Sequence, residues 1–195
     1  MSRALTRQEQ KTMIDRCSGR FKLRNQLLIQ LGLMTGPRIS ELLSLKFSDL
    51  IDEKTGRVKR EVKILQLKKR KASFRTVPIN QELVKPIVKL FKKTGSDLSL
   101  YVFQSRIGMN RPISRFQAHK IIKSLSIGME GGISTHSLRK TFATAFYRIS
   151  RDILETSRIL GHSCTKITEL YLASNLETVR ETVDRMTLGK QKGAA

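Results

Sequence analysis

The apolar residues of this chain recur at two different periods. Leu23, Leu27, Leu28, Leu31 and Met34 fall three and four residues apart, which predicts an amphipathic helix over about 21–35. A shorter helix precedes it, opened by the capping-box pair Thr6 and Glu9 and running to about Cys17. Pro37 suits the first turn of a third, short helix with Leu42, Leu43 and Leu45 inward. Between Phe47 and Ile79 the period falls to two. Asp52 to Gly56 reads as a turn, Val62, Ile64 and Gln66 alternate with Lys63, Leu65 and Leu67, and 74–79 reads as a return strand. Together they predict a small three-stranded antiparallel sheet whose second hairpin tip is Lys68-Lys69-Arg70-Lys71-Ala72-Ser73.

Helical spacing then resumes with Leu83, Ile87, Leu90 and Phe91, with Asn80 as N-cap, Gly95 as stop and a kink expected at Pro86. Tyr101 to Phe103 is a short extended piece, and Ser114 caps a helix to about Leu125. After Gly131-Gly132 a helix begins at Thr135, read as its N-cap; others cover 151–160, ended by Gly161, and a stretch through Tyr171, with a last one over 176–186. The fold class is therefore mainly α (α+β), helical with one small sheet. One domain over 1–188 and a flexible tail over 189–195 account for the 195 residues.

Charge changes the picture. There are 38 Lys and Arg against 16 Asp and Glu, a net +22, spread along the chain and not along one amphipathic helix. A membrane-surface role fits that poorly, and no apolar run approaches the ~20 residues that span a bilayer. The natural partner is a polyanion, nucleic acid first, although a ribosomal or nucleoid packaging protein would carry the same charge. The first eight residues contain no apolar signal core and two cysteines cannot form a disulfide framework, so a reducing cytoplasm is expected.

Four places could carry chemistry. His136 and Arg139 lie three apart on the first turn of a helix, where free N–H groups and the helix dipole favour an anion; the alternative is a surface pair that caps one helix. His162 follows a helix stop at Leu160-Gly161, with Tyr171 nine residues on; alone, these would read as a loop histidine and a core aromatic. Arg38 opens a Leu-rich helix and wants a fixed anion, for which Glu41 one turn later is the candidate; the alternative is a local pair of little worth. The four cations Lys68 to Lys71 either form a solvated turn or track a nucleic-acid backbone. His119, His136 and His162 lack ligand-like spacing, so no metal is expected, and Cys164 has no separate base that would make it a nucleophile.

In order, Thr35-Gly36-x-Arg38-x-Ser40-Glu41-Leu42, a basic hairpin ending in Arg75-Thr76-Val77-Pro78, His136-x-x-Arg139, Leu160-Gly161-His162-Ser163 and the later Tyr171 resemble the tyrosine recombinases, the phage integrase family. The resemblance covers essentially the whole chain as that family's catalytic domain. It implies metal-free cutting and rejoining of duplex DNA, with Tyr171 as the nucleophile that forms a 3′-phosphotyrosyl link. Arg38 and Arg139 would clamp the phosphate oxygens, His162 would hydrogen-bond them and His136 would assist proton transfer from the tyrosine. A hairpin lysine would protonate the leaving 5′-oxygen, and Lys69, Arg70, Lys71 and Arg75 would lie on DNA. Strand alternation selects Lys68 as that lysine, whereas counting back from Pro78 lands on Arg70, flanked by Lys69 and Lys71.

No cofactor is implied, since bond energy is kept in the phosphotyrosyl link. The implied partners are double-stranded DNA, further copies in a homotetramer on paired sites, and accessory DNA-bending proteins, in a cytoplasmic, nucleoid-associated setting. The 176–186 helix could dock on a neighbouring subunit or fold back on its own core. Typical members carry an additional N-terminal helical domain, so this chain reads as an excised catalytic domain or a naturally short member. The competing reading is a non-catalytic DNA-binding accessory protein that retains the fold; a topoisomerase-like relaxing enzyme would share the cleavage chemistry.

Overall fold

Local capping chemistry starts most of the helices. In α1, Arg7–Asp15, the Thr6 hydroxyl accepts from the Glu9 N–H while the Glu9 carboxylate accepts from the Thr6 N–H, the reciprocal box read in the sequence. The computed structural model describes residues 2–66, 73–162 and 164–172. The hairpin cations Lys68, Lys69, Arg70 and Lys71, the helix expected over 176–186 and the tail over 189–195 lie outside the described residues.

Helix α2, Lys22–Thr35, is the central element and touches α1, the short α3 (Ile39–Leu43), α5 (Val84–Lys93) and α7 (Thr135–Ser150). Leu27, Leu28, Ile29 and Leu31 are all fully buried, so this helix is covered on several sides along that stretch, with Gln30 half-buried among them. One core cluster packs Leu27 and Leu31 with Phe47, Ile64, Ile87 and Phe103. A second joins Met13, Ile29, Ile122 and Leu138 across α1, α2, α7 and α6 (Arg115–Leu125). Each such side chain contributes about 1.5–3 kcal/mol on burial.

The sheet departs from expectation. Strands β1, Glu61–Leu65, and β2, Phe74–Pro78, pair antiparallel with Val62 opposite Val77 and Ile64 opposite Arg75, and no third strand joins them among the described residues. The chain ahead of the first turn is instead helix α4, Phe47–Leu50, leaving a single bridge, Ile51 with Val58, beside the 52–56 turn. The reason is local: the Asp49 carboxylate accepts from the Lys46 N–H, and Phe47 and Leu50, three apart, both turn into the core.

Other differences are smaller. The N-cap of α7 is Ser134, whose hydroxyl accepts from the His136 N–H, so Thr135 is already helical. Likewise α3 begins after Arg38 and leaves Pro37 outside it. Pro86 breaks nothing: a 3₁₀ turn, Gln81–Leu83, is capped by Asn80 and runs into α5, so Pro86 falls in the first α-helical turn, where a missing N–H costs little.

Helix α8, Ile153–Leu160, opens on Asp152, which accepts from Leu154 and Glu155, and closes on Gly161 in the left-handed conformation. Helix α9, Thr165–Leu172, follows and packs against α7 and α8. The start of the chain is held on α7 as well. Leu5 N–H donates to the Thr141 hydroxyl at 2.8 Å, the Lys140 ammonium donates to the Ser2 carbonyl at 2.7 Å, and Ser2 bridges to Gly132.

Candidate active site

Three helix ends meet at one place: the C-terminus of α2, the C-terminus of α8 and the start of α7. Arg139 ties them together. Its Nη1 donates to the Gly36 carbonyl at 2.7 Å and its Nη2 to the Leu160 carbonyl at 2.8 Å. Both carbonyls sit at helix C-termini, where the backbone dipoles gather negative charge, and that offsets the cost of a guanidinium only 2 % exposed. Close packing at Gly36 makes the junction possible: a Cβ there would lie 2.2 Å from the Phe142 ring, and φ is +61°.

Arg38 stands two residues after Gly36. It meets Glu41 as the sequence anticipated, Nη1 to Oε1 at 2.9 Å, while the Arg38 N–H donates to Oε2 at 2.9 Å. The pair is not a weak surface contact. Glu41 is 0 % exposed and holds a second guanidinium, since Arg75 Nη1 donates to Oε2 at 2.9 Å. The two arginines, with the Arg38 N–H, hold the Glu41 carboxyl below the ordinary glutamate range against the opposing effect of burial.

His162 follows Gly161 and is oriented by Thr168 on α9, Nδ1 to Oγ1 at 2.8 Å. Burial first, and then the charges of Arg139, Arg38 and Arg75, push its imidazolium down to about 4, so the ring is neutral at pH 7. Arg38, Arg75, Arg139 and His162 therefore share one cationic environment. His136 is exposed on the first turn of α7, three residues before Arg139. Tyr171 lies in the last turn of α9, three residues after Thr168.

Arg75 corrects the sequence reading, which grouped it with the DNA-facing cations of the hairpin. At 7 % exposure it points into the protein, its Nε donating to the Ile159 carbonyl at 2.9 Å and its Nη1 to Glu41. Strand alternation could have shown this, because β2 buries Arg75 and Val77 and exposes Phe74, Thr76 and Pro78. The sharing of Glu41 and the pairing of Thr168 with His162 had no signal in spacing, since each joins separate elements. Among the described residues no three His, Cys, Asp or Glu side chains gather as a metal site, and no helix is long and apolar enough to cross a membrane.

The architecture defines the class. The crystal structure of XerA recombinase superposes on 96% of this chain and 66% of its own with a TM-score of 0.77 at 27% identity. The catalytic domain of bacteriophage HP1 integrase matches in fold over 96% of this chain and 97% of that domain, with a TM-score of 0.62 at 22% identity. This is the fold of tyrosine recombinase catalytic domains. Residues 3–178 match the phage integrase family, and the chain belongs to that family. The probable integrase/recombinase YoeC of Bacillus subtilis is 31% identical over 159 residues, 80% of this chain and 81% of YoeC. Tyrosine recombinase XerA of Pyrococcus furiosus is 29% identical over 190 residues, 96% of this chain but 63% of XerA.

Proposed function

We propose that this chain is the catalytic domain, over 1–188, of a site-specific DNA recombinase that cuts and rejoins duplex DNA through a 3′-phosphotyrosyl intermediate. The observation that carries the reading is the convergence of Arg38, Arg139 and His162 on one junction of helix ends in a chain of +22 net charge.

The Tyr171 hydroxyl attacks the scissile phosphorus as His136 assists removal of its proton. The bond from phosphorus to the 5′-oxygen breaks, and that oxygen takes a proton from a hairpin lysine, Lys68 or its neighbours Lys69 and Lys71. Arg38 and Arg139 stabilise the charge that develops on the non-bridging oxygens, and a neutral His162 adds a hydrogen bond. Attack by a 5′-hydroxyl of the partner duplex reverses the chemistry and seals the new junction. The side chains supply every proton transfer, so the reaction needs neither metal nor nucleotide cofactor. Lys69, Arg70 and Lys71 track the DNA backbone. The working assembly is a homotetramer on paired sites, open to accessory DNA-bending proteins, in the cytoplasm at the nucleoid.

A duplex carrying the cognate site with a nick beside the cleavage point tests this, because the released fragment diffuses away and traps the intermediate. Wild-type protein is expected to form a covalent adduct that denaturing electrophoresis resolves. Tyr171→Phe should lose the adduct and keep DNA binding within about twofold, since only the nucleophilic oxygen is removed. A wild-type protein that binds the site yet forms no adduct would establish the accessory reading instead.

A further inference from the structure

We infer that Arg75 is a positioning residue for strand cleavage, holding Glu41 so that Arg38 stays available to the phosphate; this deepens the recombinase reading above and rests on it. The argument begins with how the carboxylate is divided. Arg38 reaches Glu41 through one nitrogen, Nη1 to Oε1, and the second oxygen, Oε2, is taken by Arg75 Nη1 and by the Arg38 N–H. An arginine facing a carboxylate alone prefers the two-nitrogen, two-oxygen fork. With Oε2 engaged, that fork is blocked, and the rest of the Arg38 guanidinium is left for a second anion. The Arg38 side chain is 23% exposed, so it borders solvent, while Glu41 behind it is not exposed at all.

Arg75 is itself firmly placed. It lies on β2 opposite Ile64, its Nε holds the Ile159 carbonyl near the end of α8, and its Cδ lies 3.1 Å from where a Cβ would stand on Gly161. One side chain thus spans the hairpin strand, the α8 terminus that leads into His162, and the carboxylate behind Arg38. Packing alone does not call for a guanidinium there. The flanking inward positions of the two strands are Val62, Ile64 and Val77, and an apolar side chain would satisfy the core without desolvating a charge.

The test uses two readouts: affinity for inorganic phosphate, measured by calorimetry on the free protein, and adduct formation on the nicked duplex at saturating protein. Arg75→Gln is expected to weaken phosphate binding about tenfold and slow adduct formation by about a hundredfold, because Arg38 closes on Glu41. The decisive variant is Arg75→Gln with Glu41→Gln, where the capturing charge is gone. Phosphate binding should recover to within about threefold of wild type, a non-additivity that independent structural damage would not produce.

Losses in the two single variants that simply add in the double variant would overturn the proposal, as would an Arg75→Gln protein with wild-type phosphate affinity. Should Arg75→Gln fail to fold, Arg75→Lys is read the same way. It keeps a cation for Glu41 but cannot also hold Ile159, so an intermediate loss of about threefold to tenfold is expected and wild-type behaviour counts against the inference. If wild-type protein forms no adduct while the phosphate pattern holds, the recombinase reading fails and the control of Arg38 by Arg75 stands.

Discussion

His162 illustrates what burial beside cations does to a single residue. Its folded-state pKa, about 4, lies below the ordinary 6.5, so between those values the unfolded chain binds a proton that the folded chain refuses. Stability is therefore present in full above about pH 6.5 and is lost progressively as pH falls toward 4. The melting temperature of wild-type protein is expected to drop more steeply across that window than that of His162→Gln, followed by circular dichroism at constant ionic strength. Equal slopes would mean that the ring is not held neutral. A neutral ring also suits a role as hydrogen-bonding partner to phosphate, with the fixed positive charge left to the arginines.

At the scale of elements, the site depends on how closely α7 approaches the end of α2. Gly36 permits that approach twice over, by its left-handed backbone and by the absence of a Cβ that would strike Phe142. Gly36→Ala should destabilise the fold by about 2–5 kcal/mol, from the backbone penalty and from overpacking together. Urea denaturation would measure it, and a loss below about 0.5 kcal/mol would mean that the junction yields easily. Elements whose signals are local were legible in the sequence: the Thr6 and Ser114 caps, the alternation of Val62, Ile64 and Gln66, and the Gly161 stop all stand where spacing put them. The four-residue α4 was not, because one turn of helix has too few positions to show a period. Within the site, Arg38 with Glu41 was readable three residues apart, whereas Arg75 with Glu41 joins residues 34 apart, and only the fold brings them together.

For the molecule as a whole, charge governs the encounter with DNA. A net +22 on 195 residues gives a field that steers any polyanion, and binding releases the counterions condensed on it. The affinity for a cognate duplex should fall steeply with salt, log K losing about 0.9 per phosphate contacted for each log unit. A titration by electrophoretic mobility shift at several salt concentrations would give the slope, and a nearly flat dependence would contradict the proposed mode of grip.

The attachment of Ser2 and Leu5 to α7 reaches further than tidiness at a terminus. Because the helix that carries His136 and Arg139 is held at Lys140 and Thr141 by the opening residues, tension applied ahead of Ser2 is delivered to that helix. A purification handle is therefore least intrusive when it is separated from Ser2 by slack, and whatever polypeptide is spliced upstream pulls on the helix that carries His136 and Arg139.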